Sequence, residues 1–294
     1  MERATTLQDK PLDEILRVAE NLPPFPDVVQ KVMPLLQRMA PVEDIETVIQ
    51  YDQAIAAKVL ALARSPHFRR TQQVRSLKEA IISLGQKALV EVILAACSAR
   101  FQDDAVKGYD LREGELWEHA VGTAIMADRI AERVGSAERL TAYTAGLLHD
   151  IGKTVLNQYV EHYLGGDGPR NPIVDIIKTR RQSFLEAERN ILGIDHQELG
   201  GLIARRWNFP PAVVAGITYH HNPQDAEESH QVAAIVYAAN RMVGAMGIGT
   251  GVDGFLNPNQ DHVFEALKLD ARTIERLMAD VFVALDETKK FLTA

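Results

Sequence analysis

The chain has 294 residues, 46% of them hydrophobic and 24% charged, enough to bury a core in one large domain or two smaller ones. Its lone cysteine, Cys97, excludes an internal disulfide framework and sits in an apolar run as a small hydrophobe. The net charge of −8 comes wholly from residues 109–294, where 26 acidic residues outnumber 18 basic ones; this disfavours bulk binding of nucleic acid and suits a cation-collecting site as well as a plain solvated surface.

The opening residues Met1 to Thr6 lack the basic stretch and apolar core of a secretory signal, and no run of about 18 uninterrupted apolar residues follows. The expected location is therefore the cytoplasm, with no membrane partner. Helical spacing then recurs along the chain. Val28, Val29, Val32, Leu35 and Leu36 form one stripe, Ile55, Val59, Leu60 and Leu62 a second, and Leu77, Ala80, Ile81 and Leu84 a third that stops at Gly85. The spacing predicts about six short helices over residues 11–101. The polar segment from Asp103 to Asp110 is the expected boundary, dividing residues 1–108 from 109–294.

Beyond it, a helix is expected from Glu115 to Val134, closed by Gly135, and another from Ser136 to about His149. Gly152 is expected to bend the chain. Asp195 with Glu198 resembles a capping box, so a helix should start at His196. Pro210-Pro211 suit the first turn of the next. Val232–Val243 and Ala271–Leu292 complete an all-α set without strand or hairpin signals. Two glycine-rich stretches, Gly165 to Pro169 and Gly244 to Asn259, read as surface loops.

Five of the nine histidines have informative neighbours. Glu115 and His119 are four apart and share a helix face. His149-Asp150 ends an apolar helix, with Lys153 three residues on. His196 follows a helix cap, and His220-His221 end another apolar helix. Any one of them alone reads as a core or helix-end histidine. Together, imidazole and carboxylate suit iron, manganese, zinc or nickel better than calcium. His67, His162, His230 and His262 lack such company.

The segment from Ala145 to Lys153, with His149-Asp150-Ile151-Gly152-Lys153 at its end, resembles the signature of HD-domain phosphohydrolases. The order Glu115, His119, His149-Asp150, Lys153, His196, His220-His221 is similar to that of HD-GYP cyclic-di-GMP phosphodiesterases. Leu22-Pro23-Pro24-Phe25-Pro26, the run from Ile49 to Leu60, and the run from Ser76 to Gly85 resemble the HDOD family, and the likeness extends over about residues 20–245. It implies an N-terminal helical bundle packed on an HD-like helical domain, and a bacterial signal-transduction role. It also implies a metal set of His119, His149, Asp150, His196, His220 and His221, with Glu115 as an extra ligand. The run Asn222-Pro223-Gln224 departs from the Gly-Tyr-Pro loop of the phosphodiesterases, and Asn240 stands where they carry a last aspartate.

Two functions fit. One is a regulatory module that binds one or two divalent ions, with iron the first choice, and acts through contact with a signalling protein. The other is a metal-dependent phosphohydrolase acting on a nucleotide or cyclic nucleotide, with activated water as the nucleophile. In that case Asp150 would orient the metals and Lys153 would steady phosphate charge, while Lys178, Arg180 and Arg181 could draw the phosphate in.

Overall fold

A computed structural model describes residues 11–65, 74–164, 183–251 and 260–292. Regular structure among them is helical, with one isolated bridge between Val106 and Leu111. In chain order the helices are α1 (Leu12–Glu20), α2 (Asp27–Gln37), α3 (Val42–Ile49), α4 (Gln53–Ala63), α5 (Leu77–Gln102), α6 (Glu115–Arg133) and α7 (Arg139–Leu148). They continue with α8 (Ile151–Leu164), α9 (Phe184–Leu192), α10 (His196–Arg206), α11 (Pro211–Thr218), α12 (His230–Ala245), α13 (Asp261–Ala266) and α14 (Ala271–Leu292). Two compact units emerge: residues 1–22 with 103–278, and residues 23–102 with 279–294.

In the smaller unit, prolines at 26 and 41 stand in extended backbone just ahead of α2 and α3, where a missing N–H costs nothing. Asp52 caps α4 by accepting from the Ile55 N–H at 3.2 Å. The three stripes turn inward: Val29, Val32, Leu36, Ile55, Val59, Ala80 and Ile81 are all buried. Gly85, at φ 71°, breaks α5 into two segments. By length and hydropathy α5 passes as a membrane span, yet 61% of its apolar window is buried inside the protein, as in a core helix. Cys97 lies on it, fully buried, and burial pushes its thiol up to about 12.

The larger unit is built on helix crossings at small residues. Gly146 of α7 lies against the backbone of Thr123 and Ala124 in α6. Gly152 lies inside α8 rather than at a bend, pressed against the carbonyl of His196. The bend expected there does not form because α8 starts at Ile151, directly after Asp150. Ser183 and Glu186 form a full capping box at α9, and Asp195 accepts from the Glu198 N–H at 2.8 Å to start α10. Pro211 opens α11. The segment read as a loop from Gly244 departs from that expectation: α12 continues to Ala245, and Ile248 is buried. Residues 252–259, the stretch from Gly165 to Pro169, His67, Lys178, Arg180 and Arg181 lie outside the described residues.

Candidate metal centre

The crossings in the larger unit bring five helices to one buried point. α6 carries His119; His149-Asp150 link α7 to α8; His196 opens α10; His220-His221 follow α11. All six side chains are 7% exposed or less, so they meet away from bulk water. Ring centroids are 4.8 Å apart for His149 and His220, 5.2 Å for His196 and His221, and 5.3 Å for His119 and His149.

Asp150 stands between two donor groups. Its Oδ1 is 3.6 Å from both His196 Nε2 and His220 Nε2. Its Oδ2 is 3.2 Å from His149 Nε2, 4.0 Å from His119 Nε2 and 2.7 Å from the Lys153 ammonium. Within each of the groups His196–His220–His221 and His119–His149–Asp150, the ligand atoms lie within 4.8 Å of one another.

Backbone carbonyls orient three of the rings. His119 Nδ1 donates to Ile248 O at 2.8 Å, His149 Nδ1 to Gly146 O at 2.8 Å, and His220 Nδ1 to Ile217 O at 2.7 Å. A carbonyl only accepts, so the proton sits on Nδ1 and the neutral ring presents a lone pair at Nε2. His196 is held differently. Its Nδ1 donates to Glu188 Oε2 at 2.8 Å, and the same oxygen accepts from its backbone N–H at 3.1 Å. Tyr109 donates its hydroxyl to the other oxygen of Glu188. His221 is anchored through its backbone, which donates to Gln197 Oε1 at 3.1 Å.

The electrostatics follow from burial. Burial and the neighbouring imidazoles hold His220 and His221 well below the ordinary histidine value, and burial with His149 lowers His119. Burial also works against a charged His196, but Glu188 outweighs it and the net shift is upward. For Asp150, burial favours the acid; His149 and the Lys153 ammonium prevail, leaving the carboxyl well below the usual range.

Three buried polar atoms at the centre have no hydrogen-bond partner: His149 Nε2, His220 Nε2 and Asp150 Oδ1. Such orphans cost free energy unless something else satisfies them. Each carries a lone pair, the two imidazole nitrogens flank the Asp150 carboxylate, and this set of nitrogens and a carboxylate oxygen suits a divalent first-row metal. The residues present therefore fit such an ion.

Glu115 is not brought into either donor group. It opens α6, and its Oε2 accepts from the Arg112 N–H at 2.8 Å as a local cap. Lys153 is buried against Asp150, with its ammonium 5.5 Å from the centre of the Tyr109 ring. Asn240 Oδ1 lies 3.0 Å from His119 Nε2. Sequence reasoning missed Glu188, Tyr109 and Gln197. Glu188 had a signal: it falls four residues after Phe184 and four before Leu192, on the apolar face of α9, where an unpaired carboxylate does not belong. Tyr109 gave none, because it sits in a segment that reads as polar.

The HDOD domain model matches residues 22–223. Three solved structures share the fold. An HDOD domain protein of unknown function from Geobacter sulfurreducens is 24% identical with a TM-score of 0.69, over 96% of this chain and 95% of that one. A candidate phosphohydrolase from Shewanella amazonensis SB2B is 22% identical with a TM-score of 0.69, over 95% and 97%. A candidate signal-transduction protein from Marinobacter aquaeolei VT8 is 20% identical with a TM-score of 0.71, over 97% and 66%. The chain spans less than half the length of the curated relatives it matches. With helices as the regular structure of the described residues and the family's domain covering most of its length, the chain belongs to the HDOD domain family.

Proposed function

We propose that this protein is a regulatory HDOD module that binds one or two divalent ions, iron first among them, at His119, His149, Asp150, His196, His220 and His221. It transmits a signal by contact with a partner protein in the cytoplasm. The observation that carries the reading is the trio of buried, unpartnered donor atoms on His149, His220 and Asp150. Three such atoms beside one another call for a partner, ordered water or an ion, and two imidazole nitrogens with a carboxylate oxygen suit a divalent ion. The absence of a Gly-Tyr-Pro run after His221, and an amide rather than a carboxylate at Asn240, support binding without turnover of a cyclic dinucleotide.

Lys153 favours a second reading, a phosphohydrolase acting on a nucleotide. A bound divalent ion would supply Lewis acidity and an activated water. Asp150 would hold the site's geometry through both oxygens, and Lys153, buried and already charged beside it, would neutralise charge on a phosphate.

Metal analysis of the purified chain, followed by hydrolysis assays on a nucleotide panel with Fe(II) or Mn(II) under reducing conditions, separates the two. The regulatory reading expects one or more ions per chain and no turnover. Turnover that Asp150→Ala abolishes would establish the enzyme. No ion even after reconstitution would overturn both.

A further inference from the structure

The two donor groups around Asp150 differ in their surroundings. On the Oδ1 side, the imidazoles of His196 and His220 face, at 3.6 Å, an oxygen with no hydrogen-bond partner, His221 Nε2 lies 3.1 Å from His196 Nε2, and a second buried carboxylate, Glu188, backs His196. On the Oδ2 side, the oxygen is held by the Lys153 ammonium at 2.7 Å, and the neighbouring side chain is a neutral amide, Asn240. A cation approaching Oδ1 meets negative charge at both first and outer contacts. A cation approaching Oδ2 must displace or face a fixed positive charge at very short range.

The hydrogen bonds of Glu188 add positional control. With one oxygen it accepts both the backbone N–H and the ring Nδ1–H of His196, and with the other the hydroxyl of Tyr109. Both its oxygens are therefore used, and the carboxylate cannot rotate without breaking a buried bond. The ring of His196 is fixed in plane and in tautomer, with Nε2 directed to the centre. Outer carboxylates of this kind raise the basicity of a ligating imidazole and fix its orientation.

We propose that Glu188 is a positioning residue that makes the His196–His220–His221 group, completed by Asp150 Oδ1, the higher-affinity ion site, filled before the His119–His149 group. This rests on the metal-binding reading above and adds to it an order of filling and a residue that sets it. Neither Glu188 nor Tyr109 touches the ion; both act through His196.

The test uses the full chain, stripped of metal and titrated anaerobically with Mn(II), free ion being followed by electron paramagnetic resonance. A parallel titration with Co(II) follows the visible absorption that reports imidazole coordination. For the wild type, two unequal steps or a single tight step are expected. Glu188→Gln, nearly isosteric and uncharged, is expected to weaken the first step by about tenfold to a hundredfold and to alter the Co(II) spectrum of that step. His221→Ala should remove the first step and His119→Ala the second. If Glu188→Gln fails to fold, Tyr109→Phe, which takes one bond from Glu188, should weaken the same step to a smaller extent. An unchanged first step in a folded Glu188→Gln, or a first step lost with His119 and kept without His221, would overturn the inference. A wild-type chain that takes up neither ion overturns instead the metal-binding reading on which it rests.

Discussion

A β-carbon at position 152 would collide with the carbonyl oxygen of His196, so Gly152 marks the point where α8 lies directly on the start of α10. The obstacle is backbone, which cannot swing aside. Gly152→Ala therefore overpacks the crossing at a cost of about 3 kcal/mol. That exceeds the roughly 1 kcal/mol by which alanine is the better helix former. Urea denaturation of the metal-free chain should show net destabilisation, and metal uptake should fall because His196 is displaced.

Asp150 and Lys153 form a buried pair at 2.7 Å, each 5% exposed or less. Asp150→Ala takes the carboxylate from a buried ammonium, and breaking a buried pair by removing one partner typically costs about 3–5 kcal/mol. Replacing both, Asp150→Ala with Lys153→Met, takes the buried positive charge away as well. The double variant should unfold at higher urea than Asp150→Ala alone while still failing to bind metal. A double variant less stable than the single one would show that the pair is not what the carboxylate stabilises.

Stability without metal should fall as the solution is acidified from neutrality. Burial and neighbouring imidazoles lower His119, His220 and His221, so below about pH 6.5 the unfolded chain takes up protons that the folded one refuses. Stability is then full above that value and declines toward the depressed folded values. His196 works in the opposite sense, since Glu188 raises it: its contribution is full below about pH 6.5 and is lost as pH rises through its folded value. Three groups against one set the net direction. Thermal unfolding between pH 5 and 8 should show a falling midpoint toward pH 5, and Glu188→Gln should steepen the fall.

His119 Nε2 and Asn240 Oδ1 are 3.0 Å apart, and both are acceptors when the ring is neutral, an arrangement suited to two ligands of one ion. Asn240→Asp adds a charge in nearly the same volume. It should raise affinity for the ion on the His119 side by about tenfold, since ligand charge count is a main control of affinity. Calorimetric titration with Mn(II) checks this, and no change would place Asn240 outside the ligand set.

Much of the helical frame is legible in the sequence because its signals are local. The break at Gly85, the cap at Asp195 and the start at Pro211 each depend on residues within a turn of one another. The histidines that meet at Asp150 stand out through equally local signals: His149 and His220-His221 end apolar helices, His196 follows a helix cap, and His119 shares a helix face with Glu115. What the sequence hides is long-range. Glu188 and Tyr109 are 79 residues apart, and nothing in either neighbourhood announces the other. Gly152 reads as a bend because glycine does bend chains, while its need here is for space against a helix that starts 44 residues later. Ile248 reads as loop because glycines surround it, and its carbonyl is needed only by His119, 129 residues away.

Gly146 and Ile217 belong to the last turns of α7 and α11, where helical carbonyls have no partner further along the helix. Here those carbonyls receive the Nδ1 protons of His149 and His220. The binding-competent tautomer of each ring is thus stored in the main chain, which mutation does not change, rather than in a side chain, which it can. For these two rings, ion capture needs neither a proton shift nor a search among orientations. At neutral pH these two rings should accordingly add nothing to the dependence of the binding heat on the ionisation enthalpy of the buffer, which leaves any such dependence to His196, whose hold on a proton Glu188 strengthens.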